Sequence, residues 1–311
     1  MKDFAILADA TCDLGEEFQK EYNIEVIVGH IGLPDKTEIP EFLKWEQYTR
    51  EEFYDDLKKN PNGYSTAPAN ITEFANKMEE IVSQGKDLLV ITISGGMSGT
   101  FNFATKAREI VLEKYPEAKI NCIDSLRFGP GFGLMVVKAA ELRNEGKNLT
   151  EVTEYIEENK NRFHQAGWLD DLSFVAKKGR ITHPKAFFGT VAGIKPLGEF
   201  DYNGLTTIIG KVKGAKKAYS VLLSYIEETI ENPEEQIIFI AQTNRMPQAI
   251  EFKKLIEERF HPKAVYINDV FPACGINIGP GLMAAYYVGK PISKDLSVER
   301  QIMDKYINAG E

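Results

Sequence analysis

Short runs of consecutive apolar residues alternate with segments of helical periodicity in the first half of the chain. Four of these runs predict strands, at residues 4–8, 24–28, 88–93 and 120–123. Runs that are bounded in this way are typical of strands buried on both faces of a parallel sheet.

Segments with helical spacing lie between these runs. Asn70 and Asn148 each open one, with a glutamate three residues later where a capping-box partner lies. A further helix is expected near Ser98, and another after the glycines of residues 129–133. Alternating strands and helices predict a largely parallel sheet that is covered on both faces.

The pattern changes after about residue 165. The runs 194–200 and 205–212 flank the turn sequence of residues 201–204, which predicts a hairpin. Helices are then expected at 214–232 and 246–259, and strands at 236–241 and 264–270. We therefore expect an α/β chain of two domains, a parallel-sheet N-terminal domain at residues 1–165 and an α+β C-terminal domain at residues 166–311.

Composition narrows the functional classes. Apolar residues make up 43% of the 311 residues and charged residues 27%, the balance of a globular protein. The net charge of −9 argues against a protein that coats nucleic acid. Three scattered cysteines predict neither a disulfide framework nor a metal cluster. The first apolar run meets Asp9 at once and is too short for a signal peptide, so we expect a cytoplasmic protein.

The densest candidate for chemistry is the turn at residues 93–100, between a buried strand and a helix. Its small residues permit a sharp turn, and the free N–H groups of a helix start attract an anion. Ser94, Ser98 and Thr100 add hydroxyl donors. The alternative is an ordinary strand-to-helix turn that Ser98 caps.

Three other motifs have more than one interpretation. Residues 96–100 resemble a nucleophile elbow without its final glycine, which makes Ser98 the nucleophile of a serine acyl hydrolase in an alternative hypothesis. Residues 129–134 suggest a dinucleotide loop, but the third glycine is Leu134 and Pro130 removes an N–H. The segment 279–281 opens a last helix or forms a plain turn.

A basic turn contains Lys177, Lys178 and Arg180. Five lysines reinforce it, namely Lys185, Lys211, Lys213, Lys216 and Lys217. Such a cluster on an acidic chain is either a solvated face or a docking surface for an acidic partner. In the first case Arg180 pairs with Asp170 or Asp171.

Eight segments stand in one characteristic order along the chain. In the first half they are residues 9–14, 64–69, 94–100, and 123–125 with 131–133. They resemble, in turn, the D-S-T-x-D-L, T-S-Q-P-S, S-S-G-L-S-G-T and V-D-S segments of the DegV family. In the second half they are residues 169–172 with 178–181, 188–189 with 194–196, 211–218, and 279–281. These resemble the L-x-x-L…G-G-R-I, F-L-G…I-K-P, K-V-R-G-x-K-K-A and G-P-G segments of the same family.

The resemblance implies a DegV-like fold of an α/β and an α+β domain, with a long-chain fatty acid in a buried tunnel between them. It implies a carrier that is not an enzyme and needs no cofactor or metal. A separate dihydroxyacetone-kinase-like fatty acid kinase would phosphorylate the bound carboxylate. Nucleic acid and stable membrane insertion are not expected.

The resemblance also implies the head-group residues. The family holds the carboxylate with hydroxyls of its T-S-Q-P-S and S-S-G-L-S-G-T turns, a helix N-terminus, and a histidine before G-P-G. The matching positions here are Ser65, Thr66, Ser94, Gly95, Ser98 and Asn277. Three positions depart from the pattern, since Gly95 replaces a serine, Ala67 the glutamine and Asn277 the histidine. The amide of Asn277 is still a donor, but the possible cation is lost.

Overall fold

The computed structural model describes residues 4–46, 48–183 and 193–309. The chain divides into two compact units. The first consists of Met1–Lys44, Asn62–Lys160 and Phe271–Ala273, and the second of Trp45–Pro61, Asn161–Val270 and Cys274–Glu311. The division into two domains at residue 165 stays a prediction.

Thirteen strands lie in the described ranges. They are β1 (Phe4–Asp9), β2 (Ile24–Ile27), β3 (His30–Gly32), β4 (Glu38–Pro40), β5 (Ser65–Ala67), β6 (Asp87–Thr92), β7 (Ile120–Asp124), β8 (Phe163–Leu169), β9 (Ile194–Phe200), β10 (Thr206–Lys213), β11 (Ile237–Gln242), β12 (Ala264–Asp269) and β13 (Leu282–Val288).

Eleven α-helices lie in the same ranges. They are α1 (Glu16–Glu21), α2 (Arg50–Lys59), α3 (Ile71–Val82), α4 (Thr100–Lys114), α5 (Gly129–Asn144), α6 (Leu149–Asn159), α7 (Ser173–Lys178), α8 (Ala215–Thr229), α9 (Met246–Phe260), α10 (Pro272–Ile278) and α11 (Ser297–Ile307).

The first unit is built on a four-stranded sheet in the order β2-β1-β6-β7, with every pair parallel. All six residues of β1 and all six of β6 are buried, which explains their unbroken apolar runs. Helices α3 and α4 pack on this sheet around Phe74, Met78 and Ala104. The predicted parallel sheet is confirmed. A small antiparallel sheet, β4-β3-β5, was not predicted.

Two helices of this unit begin where their capping boxes predict. The Asn70 side chain accepts from the Glu73 N–H while the Glu73 carboxylate accepts from the Asn70 N–H, and Asn148 and Glu151 repeat the pattern before α6. Helix α5 differs from the prediction because it includes its glycines instead of following them. A Cβ at Gly133 would collide with the Cys12 carbonyl oxygen, so close packing accounts for that glycine.

The second unit contains a six-stranded mixed sheet in the order β10-β9-β8-β13-β11-β12. Only β11 and β12 pair in parallel. The predicted hairpin is β9 and β10, closed by Asp201, whose Oδ1 accepts from the N–H groups of Asn203 (2.8 Å) and Leu205 (3.0 Å). The mixed sheet and the predicted helices at α8 and α9 confirm the expected fold class.

The segment at residues 279–281 forms the plain turn of the two alternatives, and a strand follows it instead of a helix. Gly279 and Gly281 have φ angles of +79° and +105°, which favour glycine. The chain then enters β13, where Leu282 N–H donates to Thr243 Oγ1 (2.8 Å). Six of the seven residues of β13 are buried, and this burial accounts for its apolar sequence.

Helix α2 groups with the second unit although it lies early in the sequence. Asp269 at the end of β12 accepts from Trp45 Nε1 and from Arg50 NH2, each at 2.7 Å. The buried Tyr54 donates its hydroxyl proton to the Val270 carbonyl oxygen (2.6 Å). These bonds tie α2 to the segment that leads into α10.

Over residues 4–46, 48–183 and 193–309, no helix is both long enough and apolar enough to cross a membrane. The same ranges hold no group of three or more His, Cys, Asp or Glu side chains that would bind a metal ion. Cys12, Cys122 and Cys274, all within the described residues, form no disulfide bond.

Candidate functional site

The turn after β6 meets the carboxyl ends of β1 and β7. Ile93 N–H donates to Asp9 Oδ2 (2.8 Å), and Ser94 N–H donates to the Arg127 carbonyl oxygen (2.8 Å). Gly95 N–H donates to Asp124 Oδ1 (3.0 Å). Ligand sites of parallel α/β sheets lie at this edge.

Three side chains of this turn stand in different environments. Ser94 is fully buried and accepts from Gly96 N–H (3.1 Å), which leaves its own O–H to donate. Ser98 Oγ lies 2.8 Å from Thr100 Oγ1 and also accepts from the Thr100 N–H (3.4 Å). Helix α4 then begins at Thr100, with Gly99 as its N-cap.

Gly95 is exposed, and its missing side chain has a steric reason. A Cβ at this position would lie 2.6 Å from Asp124 Oδ2. Asp124 is held there, because its Oδ1 accepts from both Gly95 N–H and Leu126 N–H at 3.0 Å. A serine at residue 95 would displace Asp124, so the departure from the family pattern agrees with the local packing.

Ser65 and Thr66 lie on β5, which pairs with β3 in the small sheet. Ser65 is exposed and Thr66 is half-buried. A Cβ at Gly29 would collide with the Ala67 carbonyl oxygen, so glycine permits the close approach of the segment before β3 to β5.

Two buried carboxyl groups lie near each other in this unit. Glu41 Oε2 accepts from Gly29 N–H (2.8 Å), while the Glu41 N–H donates to the Gly29 carbonyl oxygen (2.9 Å). Burial raises the pKa of Glu41 to about 7, the Gly29 bond opposes this, and the nearby Asp9 carboxylate adds to it. Burial likewise raises the pKa of Asp9, against the bonds that it accepts from Thr11 and Ile93.

His30 connects β3 to its neighbours. Its Nε2 lies 2.9 Å from Glu73 Oε1 at the start of α3, and its Nδ1 lies 3.4 Å from Glu38 Oε1 on β4. The hydrogen bond to Glu73 raises the pKa of His30, and burial opposes this effect.

Two sets of contacts in the first unit hold the β5 segment and the β6–α4 turn, and the charge of Asp9 acts on Glu41. Gly29 packs against Ala67, Glu41 holds Gly29, Asp9 lies near Glu41, and Asp9 holds Ile93 beside Ser94. The hydroxyls predicted on β5 and in the turn thus lie in one unit. Sequence reasoning missed Glu41 and His30, because neither stands in a recognisable motif. Sequence analysis included Asp9 only within the segment at residues 9–14.

Asn277 lies in the second unit, on α10, and is half-buried. Glycines flank it on both sides. A Cβ at Gly275 would lie 2.5 Å from the Tyr54 hydroxyl oxygen, and one at Gly279 would collide with the Phe174 ring. Tyr54 and Phe174 therefore fix the backbone on either side of Asn277.

The basic residues lie at the end of α7, where Gly179 adopts a left-handed conformation. Lys177 is exposed, and Arg180 donates to the Lys178 carbonyl oxygen. Burial lowers the pKa of Lys178, and the Arg180 charge lowers it further. The two cations therefore lie close enough to repel each other.

The carboxylates suggested as partners of Arg180 are bound elsewhere. Asp170 contacts Lys195 and accepts from Arg245 NH2 (2.6 Å), and Asp171 accepts from Ser173 N–H (2.8 Å). Lys185 and the segment 188–189 lie outside the described residues.

The loop at residues 129–134 is a packed helix start. Every residue from 128 to 134 is buried, and Gly129, with a φ of +57°, lies beside Asp13. This packing explains the glycines without a nucleotide.

Comparisons with known proteins identify the family of the chain. Residues 3–290 match the family model described as "Uncharacterised protein, DegV family COG1307". A DegV domain-containing protein of Clostridium perfringens is 33% identical over 289 residues, which are 93% of this chain and 98% of that relative.

Solved structures share the fold at lower identity. A DegV family protein from Thermus thermophilus, described by its fatty acid binding, superposes with a TM-score of 0.81 at 21% identity and covers 93% of this chain and 100% of that one. A DegV family protein from Eubacterium eligens loaded with heptadecanoic acid gives 0.80 at 24% identity, with 92% and 100% covered. The Fatty Acid Kinase (Fak) B3 protein of Streptococcus pneumoniae loaded with linoleic acid gives 0.77 at 21%, with 93% and 100% covered.

Proposed function

Because the chain belongs to the DegV family, we propose that it binds a long-chain fatty acid and acts as a carrier without chemistry of its own. The observation that carries the proposal is the hydroxyl-bearing β6–α4 turn at the carboxyl edge of the parallel sheet, with the hydroxyls of β5 in the same unit. Structural neighbours that hold heptadecanoic acid and linoleic acid support the ligand class.

The head group in this proposal is a carboxylate at the start of α4. Ser65 and Thr66 supply hydroxyl donors from β5, and Ser94 and Ser98 supply them from the turn. Gly95 contributes only its backbone, and the Asn277 amide is a further donor. Each hydrogen bond to a charged group is worth about 1.5–3 kcal/mol, and the positive end of the helix dipole favours the anion.

The acyl chain supplies most of the affinity in this proposal. Each methylene removed from water contributes about 0.8 kcal/mol. A chain of about 14 methylenes then gives roughly 11 kcal/mol before the cost of association is subtracted. A buried tunnel for this chain, as the family resemblance implies, is part of the proposal.

The alternative of a serine acyl hydrolase needs a base beside Ser98. The Ser98 hydroxyl bonds to Thr100, whereas His30 bonds to Glu73 and His164 to Glu199. These contacts favour a carrier. A fluorophosphonate probe distinguishes the two, because stoichiometric labelling of Ser98 supports the hydrolase.

Extraction of the purified protein with organic solvent tests the function directly. We expect mass spectrometry to find a saturated or unsaturated fatty acid of about 14 to 18 carbons at about one molecule per chain. A protein that carries no fatty acid and also fails to bind added palmitate and oleate contradicts the proposal.

Alanine at Ser65, Thr66 or Ser94 is expected to weaken fatty-acid binding by about 1.5–3 kcal/mol each while the protein stays folded. Displacement of a fluorescent fatty acid measures the affinity, and Ser83→Ala, at an exposed position beyond α3, is the matched control. Unchanged affinity in all three variants would show that the head group lies elsewhere.

A fatty acid kinase of the dihydroxyacetone-kinase type is the proposed partner, and the turn with Lys177, Lys178 and Arg180 is its proposed docking surface. The engagement of Asp170 with Lys195 and Arg245 supports this role, because it leaves the turn with a net positive charge. The kinship with the Fak B3 protein supports the partner class.

Reversing the charges in Lys178→Glu/Arg180→Glu is expected to slow phosphorylation of the bound lipid, more strongly at low salt, while lipid occupancy stays intact. The matched control is Lys106→Glu/Lys254→Glu, which makes the same change of net charge at exposed positions. Turnover equal to that of the control, or loss of the lipid, would mean that the turn is structural.

A further inference from the structure

We infer that Glu41 positions the head-group segment on β5 and that its carboxyl takes up a proton when a fatty-acid anion binds. The inference rests on the proposed function and names a regulation of the same site. Two buried carboxyl groups support the inference: Glu41 bonds Gly29, which packs against β5, and Asp9 bonds Ile93, which precedes Ser94 in the β6–α4 turn.

Glu41 holds the backbone beside β5 at two points. Its carboxyl oxygen accepts from Gly29 N–H (2.8 Å), and its own N–H donates to the Gly29 carbonyl oxygen (2.9 Å). Gly29 in turn packs against Ala67 and Ala69 so closely that no Cβ fits between them. A change at Glu41 is therefore transmitted to the strand that carries Ser65 and Thr66.

Asp9 holds the other segment. Its Oδ2 accepts from Ile93 N–H (2.8 Å), one residue before Ser94. Its Oδ1 accepts from Thr11 N–H (3.0 Å). The Asp9 carboxylate is near enough to Glu41 to disfavour a second negative charge.

The charged surroundings of Glu41 come from several elements. Asp9 on β1 and His30 on β3 face Glu41, with opposite effects on its charge. His30 is itself engaged by Glu38 on β4 and Glu73 on α3. The charges of Asp9 and Asp13 both raise the pKa of the nearby Cys12 thiol.

A bound carboxylate adds a third negative charge to this region. Fatty acids are ionised near neutral pH, since ordinary carboxyl groups have a pKa of about 4. Burial already raises the pKa of Glu41 to about 7, and a further anion raises it again. Below about pH 7 Glu41 is neutral and the affinity is constant. Above about pH 7 binding must take up a proton, so the affinity falls by up to about tenfold per pH unit.

Two substitutions separate the charge from the hydrogen bond. Glu41→Gln keeps an oxygen that accepts from Gly29 N–H and removes the ionisable proton. Glu41→Ala removes the acceptor and leaves that buried N–H unsatisfied. The glutamine variant is thus a permanent mimic of the protonated state.

Titration with cis-parinaric acid, between about pH 6 and about pH 9 at constant ionic strength, tests the inference. We expect the wild-type affinity to fall above about pH 7, and Glu41→Gln to keep the low-pH affinity at every pH. Glu41→Ala is expected to bind about tenfold more weakly throughout. Glu17→Gln, an exposed change in the same unit, is expected to retain the wild-type profile.

Carbon-13 NMR of labelled glutamate carboxyls gives a second readout, in which the Glu41 signal is the one missing from Glu41→Gln. We expect this carboxyl to titrate near neutral pH in the free protein and at higher pH with the ligand bound. A Glu41 signal that titrates in the ordinary acidic range overturns the inference.

The remaining outcomes are also decisive. Fatty-acid binding with a flat pH profile overturns the coupling alone and leaves the proposed function standing. A slope that persists in Glu41→Gln and disappears in His30→Gln assigns the proton to His30, which also overturns it. Absence of binding at every pH, with Glu41 still titrating near neutral pH, rejects the proposed function and the coupling together.

Discussion

Replacing Glu199 with alanine is expected to lower the free energy of unfolding by about 3–5 kcal/mol. Glu199 is fully buried in the second unit, and its carboxylate accepts four hydrogen bonds. Oε1 accepts from the N–H groups of Gln165 (2.6 Å) and Phe200 (2.7 Å). Oε2 accepts from the Tyr225 hydroxyl (2.8 Å) and from His164 Nδ1 (2.7 Å).

The cost is large because the partners are buried with Glu199. His164 Nε2 lies 2.7 Å from the Lys290 carbonyl oxygen, and its Nδ1 lies 2.7 Å from Glu199 Oε2, so the ring bridges the two groups in the interior. Alanine removes the carboxylate and leaves these buried partners without it. Burial raises the pKa of Tyr225 well above its ordinary value, and the Glu199 charge adds to this, so Tyr225 stays a donor.

Urea unfolding measures the loss. Glu234→Ala, an exposed change in the same unit, is the control and is expected to stay within about 0.5 kcal/mol of the wild type. A loss below about 1 kcal/mol for Glu199→Ala would mean that the buried network adds little to the stability of this unit.

The sequence predicts those elements whose signal is local. The runs that became β1 and β6 are buried on both faces, so their apolar character is continuous. The capping boxes at Asn70 and Asn148 mark helix starts to the residue, since the cap and its partner lie three residues apart.

The elements that sequence reasoning missed depend on distant partners. Strands β3, β4 and β5 have three residues each, and they exist because they pair with one another across the chain. Strand β13 was not predicted, and a helix stayed one of two alternatives there, because glycines before an apolar run precede helices as well as strands. The segment is a strand because it pairs with β8 and β11, and the local sequence does not indicate this pairing.

The residues of the candidate site also fall into those with a local sequence signal and those that depend on distant partners. The hydroxyls at Ser65, Thr66 and Ser94 are recognisable from motifs, because each stands in a short segment that resembles one of the DegV family. Glu41 follows Pro40 without any motif, and its burial beside Asp9 depends on the fold of the small sheet. The glutamate that holds His164 is likewise 35 residues away in the sequence.

Glu41→Gln is expected to stabilise the folded state by about 3 kcal/mol at about pH 8 and to leave it nearly unchanged at about pH 4.5. Burial raises the pKa of Glu41 from 4.5 to about 7. Between these values the folded protein holds a proton that the unfolded chain has released, so the wild-type stability falls as the pH rises and levels off above about pH 7.

Glutamine has no proton to lose, so Glu41→Gln lacks this slope while every other titrating group keeps its own. The stability difference between variant and wild type, from urea unfolding at each pH, therefore isolates Glu41. The side chain is only 8% exposed, so solvent screens its charge weakly. A difference that is the same at both pH values would show that Glu41 is ionised in the folded protein over the whole range. The buried pair would then carry two negative charges, and His30 would be the group that compensates them.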